Sequence, residues 1–133
     1  VSEILERLAR DDGCEPVRAE SLDDFLGRNP RSLVLFTGDT ARRPEGLDVA
    51  VVVRELALAH RGQLAVGLVD RRDEGALMAR FGVVVLPAVV FVREGEAVEL
   101  VARMRDWPVF EQACGRLLAP REGTGSPAPG GNA

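Results

Sequence analysis

The chain has neither lysine nor tyrosine, so all 17 of its basic residues are arginine. That bias belongs to base composition and excludes no function; the other shortages exclude more. The one histidine, His60, has no neighbour in sequence with which to share acid–base or metal chemistry. The two cysteines, Cys14 and Cys114, stand 100 positions apart. That spacing excludes a CxxC dithiol and a zinc knuckle. In a reducing compartment they read as two small apolar residues, with a Cys14–Cys114 bridge as the minor alternative, since sequence does not reveal their separation. Positive charge is not in surplus: the net charge is -4 with arginines and acids interspersed, so nothing reads as a nucleic-acid protein, whose phosphate contacts want a basic surface. Long apolar runs are missing too. The longest, Val83 to Val92, is about half the length of a helical membrane span. The N-terminal residues do not follow the basic-then-apolar order of a secretory signal. A soluble, cytoplasmic protein without membrane insertion is expected.

What is present fits one folded domain. The 133 residues suffice for a single core, and 46% of them are hydrophobic. Ser2 to Arg10 has Ile4, Leu5 and Leu8 at helical spacing behind a Ser2 cap. Pro16-Val17-Arg18 reads as a short edge strand. Ser21 caps a helix with Asp23 and Asp24 in its first turn and Leu22, Phe25 and Leu26 inward; Asn29-Pro30 ends it. Ser32 to Phe36 reads as a central strand buried on both faces. Thr37 to Gly46 is a polar loop. Asp48 to His60 has the branched triplet Val51-Val52-Val53 of a strand, but its apolar residues repeat at helical spacing, so a helix capped by Asp48 is expected. A strand over Gln63 to Val69 and a helix over Asp73 to Phe81 follow, the helix closed by Gly82. Ala88 to Val92 and Ala97 to Arg103 form a hairpin around Glu94-Gly95, and Trp107 to Leu118 is the last helix. From about Arg121 the Gly, Pro and Ser content predicts a flexible tail, giving a domain over 1–120 and a tail over 121–133.

Strands alternating with helices and closed by a hairpin imply an α/β fold with a mixed central sheet flanked by helices. The segment Val69-Asp70, helix, Phe81-Gly82-Val83, Leu86-Pro87-Ala88, strand, Glu94-Gly95-Glu96 resembles the part of thioredoxin that carries the cis-proline loop. The resemblance implies a cis Leu86-Pro87 bond; without it Pro87 is an ordinary proline opening a strand. One departure matters. Where thioredoxins carry CxxC at a helix start, this chain has Thr37-Gly38-Asp39-Thr40-Ala41-Arg42-Arg43-Pro44, and Leu35 replaces the thioredoxins' buried acid. Neither nucleophile nor proton acceptor remains for disulfide exchange by the usual route.

Four pieces narrow the resemblance. They are Pro16-Val17 with Leu22-Asp23; Asp39 with Arg43-Pro44-Glu45 and Asp48; Arg80-Phe81-Gly82-Val83 with Pro87-Ala88; and Trp107 opening the last helix. In this order the chain resembles the HyaE/HupG/HoxO family of hydrogenase expression proteins. The resemblance implies a non-catalytic chaperone in nickel–iron hydrogenase maturation, without cofactor or metal. It would bind the small-subunit precursor and its twin-arginine signal peptide in the cytoplasm before export, alongside other maturation proteins. A basic, apolar leader calls for acids beside an apolar groove. The expected partner-binding residues are therefore Thr37, Asp39, Arg43, Pro44, Glu45, Asp48, Leu86, Pro87 and Trp107, with Val84 adding apolar surface and Asp70, Asp73 and Glu74 a second acidic edge. Plainer roles compete: Asp48 as a cap, Asp73 and Glu74 as helix-start charges, Trp107 as a core aromatic. Arg42 and Arg43 either pair with nearby acids or meet an acidic partner. The alternatives are a thiol oxidoreductase using Cys14 or Cys114 and a structural adaptor in a maturation complex.

Overall fold

The computed structural model describes residues 3–10 and 13–120. The expectations for a Ser2 cap and for a tail from Arg121 lie outside the described residues. The elements in chain order are α1 (Glu3–Arg10), β1 (Cys14–Val17), α2 (Leu22–Arg28), β2 (Arg31–Phe36), α3 (Glu45–Ala59), β3 (Ala65–Val69), a 3-10 turn (Arg71–Asp73), α4 (Glu74–Phe81), β4 (Ala88–Arg93), β5 (Glu96–Ala102) and α5 (Trp107–Leu118). The five strands form one sheet in the order β1-β3-β2-β4-β5. β3 pairs parallel with β1 and β2, whereas β4 runs antiparallel to both β2 and β5. This is the mixed α/β sheet of the thioredoxin fold.

The pleat divides the core in two, because successive strand residues face opposite sides. On one side Leu33, Leu35, Val66, Val89 and Phe91 pack under α1, α3 and α5, which contribute Leu8, Val53, Leu56, Phe110 and Leu117. On the other, Val34, Phe36, Ala65, Val69 and Val90 pack under α2 and α4, which contribute Leu22, Phe25 and Leu77. Phe25, Phe36, Phe91 and Phe110 are fully buried, and each contributes roughly 1.5–3 kcal/mol through lost apolar exposure. Gly67 in the middle of β3 lets α2 sit close: a Cβ there would lie 2.7 Å from Val17 Cγ2 and 3.0 Å from Phe25 Cε2.

Several boundaries differ from expectation, each for a physical reason. α3 begins at Glu45, so Asp48 is not its cap but an exposed residue of its first turn. The position before the helix belongs to Pro44, whose fixed φ suits a helix start. The Ser21 hydroxyl does not cap α2; it accepts the Arg18 N–H at 2.9 Å and tightens the preceding turn. β3 starts at Ala65 rather than Gln63, and Cys14 opens β1 instead of preceding it. A 3-10 turn capped by the Asp70 carboxylate precedes α4, so that helix begins at Glu74 and not Asp73. The triplet Val51-Val52-Val53 is helical, with Val52 and Val53 buried.

At the end of the sheet where β2 begins and β4 ends, two arginines hold the end of α5. Arg31 Nε donates to the Leu117 carbonyl at 3.1 Å, and Arg93 Nη2 donates to the Arg116 carbonyl at 2.7 Å. They satisfy carbonyls that a helix C-terminus otherwise leaves without intrahelical partners.

Candidate functional site

The opposite end of the sheet, at the carboxyl ends of β2, β3 and β5, opens into a groove of about 710 Å³. Its floor is the loop between α4 and β4. Leu86-Pro87 is a cis peptide, and Pro87 itself is buried. Before it, Val84 is 86% exposed and Val85 is also exposed, with no apolar neighbour to cover them fully. Met78 of α4 lies beside Leu86 in the same wall. These side chains give an aliphatic strip open to solvent.

The facing wall is the loop Thr37–Pro44, which is a built turn. The Asp39 carbonyl accepts the N–H groups of Arg42 at 3.2 Å and Arg43 at 2.9 Å. Asp39 Oδ1 accepts the Ala41 N–H at 3.1 Å, the short side-chain loop that aspartate favours in turns. Thr37 is buried and its hydroxyl donates to the Gly38 carbonyl at 3.0 Å. Gly38 takes φ +73, a left-handed conformation that glycine adopts without strain, and its α-carbon faces Leu86 across the groove.

Two ion-pair systems brace the walls. Glu74 is only 3% exposed; its Oε2 accepts the Gly38 N–H at 3.0 Å and its Oε1 accepts from Arg71 Nη1 at 2.6 Å. Arg71 also reaches within 3.9 Å of Asp39. On the other side Glu45 accepts from Arg103 Nε at 3.0 Å and from the Met104 N–H at 2.8 Å. The Arg103 guanidinium and the Met104 N–H hold the Glu45 carboxyl below its ordinary value. Arg103 sits at φ +69, rare for a long side chain, and donates its N–H to the Pro87 carbonyl at 2.7 Å. The end of β5 is thereby fixed to the cis-proline loop and, through Glu45, to the start of α3.

Of the nine residues expected from sequence, Thr37, Asp39, Arg43, Glu45, Leu86 and Pro87 line this groove. Pro44 and Asp48 are not among its lining residues. Trp107 is 39% exposed at the start of α5 and does not line it. The second acidic edge is spoken for. Asp70 pairs with Arg72 at 3.0 Å, Asp73 accepts the Ala19 N–H at 2.7 Å, and Glu74 is buried. The guanidinium of Arg72 depresses the Asp70 carboxyl to about 2. Sequence reasoning missed Arg71 and Arg103 altogether. The signal available for Arg103 was its place at the end of a strand whose register brings Ala102 opposite Ala88, next to Pro87.

Neither cysteine approaches this chemistry. Cys14 packs on the α1–α3–α5 side at β1, and Cys114 is fully buried in α5. Neither forms a disulfide. Burial pushes the Cys114 thiol up to about 11, so it carries no reactive thiolate at neutral pH. Among the described residues no helix is long and apolar enough to cross a membrane.

Comparisons with known proteins agree with the fold and narrow it. Residues 4–110 match the family described as hydrogenase-1 expression protein HyaE. A hydrogenase expression/formation protein HupG from Bradyrhizobium diazoefficiens is 40% identical over 110 residues, covering 80% of this chain and 74% of that protein. HoxO from Cupriavidus necator is 35% identical over 121 residues, covering 90% and 75%. Among solved structures, a mutant thioredoxin from Halobacterium salinarum superposes with TM-score 0.69 at 25% identity, covering 82% of this chain and 94% of that one. A HupG protein from Rhodopseudomonas palustris superposes with TM-score 0.55 at 35% identity, covering 77% and 93%. With a thioredoxin sheet, a groove without cysteine, and a family match that runs through most of the chain, the protein belongs to the HyaE family of hydrogenase expression proteins.

Proposed function

We propose that this protein acts in hydrogenase maturation as a non-catalytic cytoplasmic chaperone that binds the small-subunit precursor and its twin-arginine signal peptide before export. The observation that carries this reading is the groove itself. At the corner where thioredoxins do thiol chemistry, the chain keeps a cis-proline loop and an exposed aliphatic strip but has no cysteine. What remains is a surface shaped for an extended apolar segment, and the middle of a signal peptide is such a segment. Val84, Leu86 and Pro87 form the apolar floor, with Thr37, Asp39, Arg43 and Glu45 along the facing wall. Pro44, Asp48 and Trp107, which do not line the groove, extend the contact beyond it. Asp48 is exposed and makes no ion pair among the described residues, so it is the acid open to a leader arginine.

The test is capture of the small-subunit precursor, made with and without its leader, by the immobilised full chain. Capture that depends on the leader is expected. Val84→Asp should weaken it roughly tenfold, since it places a charge in the apolar strip at a side chain that supports nothing in the core. Equal capture of leaderless subunit, or capture untouched by Val84→Asp, removes the groove from the function.

A further inference from the structure

The groove is basic in a chain that is acidic overall. Its lining holds four arginines, Arg42, Arg43, Arg71 and Arg103, against two carboxylates, Asp39 and Glu45, whereas the whole chain carries a net charge of -4. The balance stays positive when the neighbouring buried Glu74 is counted as well. The carboxylates are committed as well as outnumbered. Glu45 is held by Arg103 and the Met104 N–H, Glu74 by Arg71 and the Gly38 N–H, and Asp39 by its own turn with Arg71 at 3.9 Å. Arg42 and Arg43 differ from the other two arginines. Both are exposed, and among the described residues neither side chain makes an ion pair. The Asp39 carbonyl fixes their backbone in one turn, so two adjacent guanidinium groups stand beside the aliphatic strip of Val84, Val85 and Leu86.

We propose that the groove selects an extended peptide segment in which aliphatic residues are flanked by carboxylates, with Arg42 and Arg43 taking the carboxylates. This rests on the reading of the protein as a precursor-binding chaperone and deepens it. The groove takes the apolar stretch of its partner together with an adjoining Asp or Glu, while a leader's arginines are received outside the lining. The chemistry is that of guanidinium against carboxylate, a planar fork that can bind both oxygens at once. The apolar strip supplies the area and the arginines supply the register and sign.

The test uses the full chain and three fluorescent peptides that share one run of valine and leucine, flanked by paired Glu, Gln or Arg. Anisotropy titration at low salt should place the Glu-flanked peptide roughly fivefold or more ahead of the Arg-flanked one, as two exposed charge pairs allow. The gap should close toward about 0.5 M salt, where screening is strong. Arg42→Glu with Arg43→Glu should reverse the order, and Arg42→Gln with Arg43→Gln should abolish it. Equal or tighter binding of the Arg-flanked peptide overturns the proposal, as does an order unchanged in both double variants or no binding by any peptide. Precursor capture separates the two readings: capture without the charge order sinks this inference alone, and the charge order without capture sinks the chaperone reading alone.

Discussion

Glu74 shows how a residue's role depends on partners that its neighbours in sequence do not reveal. At the head of a helix it looks like a surface charge, yet it is buried between the Gly38 N–H and Arg71. The reason lies 36 positions away, where β2 delivers Gly38 to the same place. Glu74→Ala leaves that buried N–H without an acceptor, and urea unfolding should show a loss of about 1–3 kcal/mol. Glu74→Gln keeps an acceptor for Gly38 and should lose less; equal losses would mean that the Arg71 pair, not the backbone contact, carries the effect. The same limit hid Glu45. Its identity as an acid near the groove was legible, but its commitment to Arg103, 58 positions on, was not. Of the acidic patch read from residue types, Asp39 and Glu45 became committed carboxylates once the chain folded, and Asp48 alone stayed unpaired among the described residues.

Elements were more legible than single contacts. The helical period of Val49, Val52, Val53 and Leu56 outweighed the branched triplet, and α3 is a helix with those residues buried. Boundaries failed where tertiary contacts decide them. Gly46 is the case in point: within the first turn of α3 it lies against the Thr37 carbonyl, so close that a Cβ would collide with that oxygen. A glycine that reads as part of a loop is therefore what lets the helix begin early and meet the end of β2. Gly46→Ala would normally favour a helix. Here the obstacle is backbone, which cannot swing aside like a side chain, so α3 or the Thr37–Pro44 turn must shift. A loss of about 1–3 kcal/mol in thermal or urea unfolding is expected, together with weaker capture of the precursor. A variant as stable as the parent would show that the turn yields freely.

Across the molecule the succession of strands and helices along the chain was legible, because each has its own local period, whereas the sheet order β1-β3-β2-β4-β5 is a tertiary fact that the thioredoxin resemblance, not the period, implied. The groove was not legible, because no single element contains it: it draws on the ends of β2 and β5, the turn after β3, the start of α3 and the loop before β4. Two ion pairs, Asp70–Arg72 after β3 and Glu45–Arg103 at the groove, share a pH signature. The carboxyls of Asp70 and Glu45 are both held below their ordinary values, by Arg72 and by Arg103 with the Met104 N–H respectively. A depressed folded value adds stability above the unfolded value and loses it as pH falls through the folded one. Thermal midpoints should therefore hold above about pH 5 and drop as acid approaches the value of about 2 at Asp70. Asp70→Asn should flatten the lower part of that drop. An identical acid profile in the variant would assign the loss to other carboxylates.

The anchoring of α5 by Arg31 and Arg93 has a practical consequence for whoever handles the protein. Those two side chains hold Leu117 at the pole of the sheet remote from Pro87. A six-residue strand, about 20 Å long, separates the two poles. A fluorophore or affinity handle joined at the end of this helix therefore starts from the side of the molecule remote from the groove.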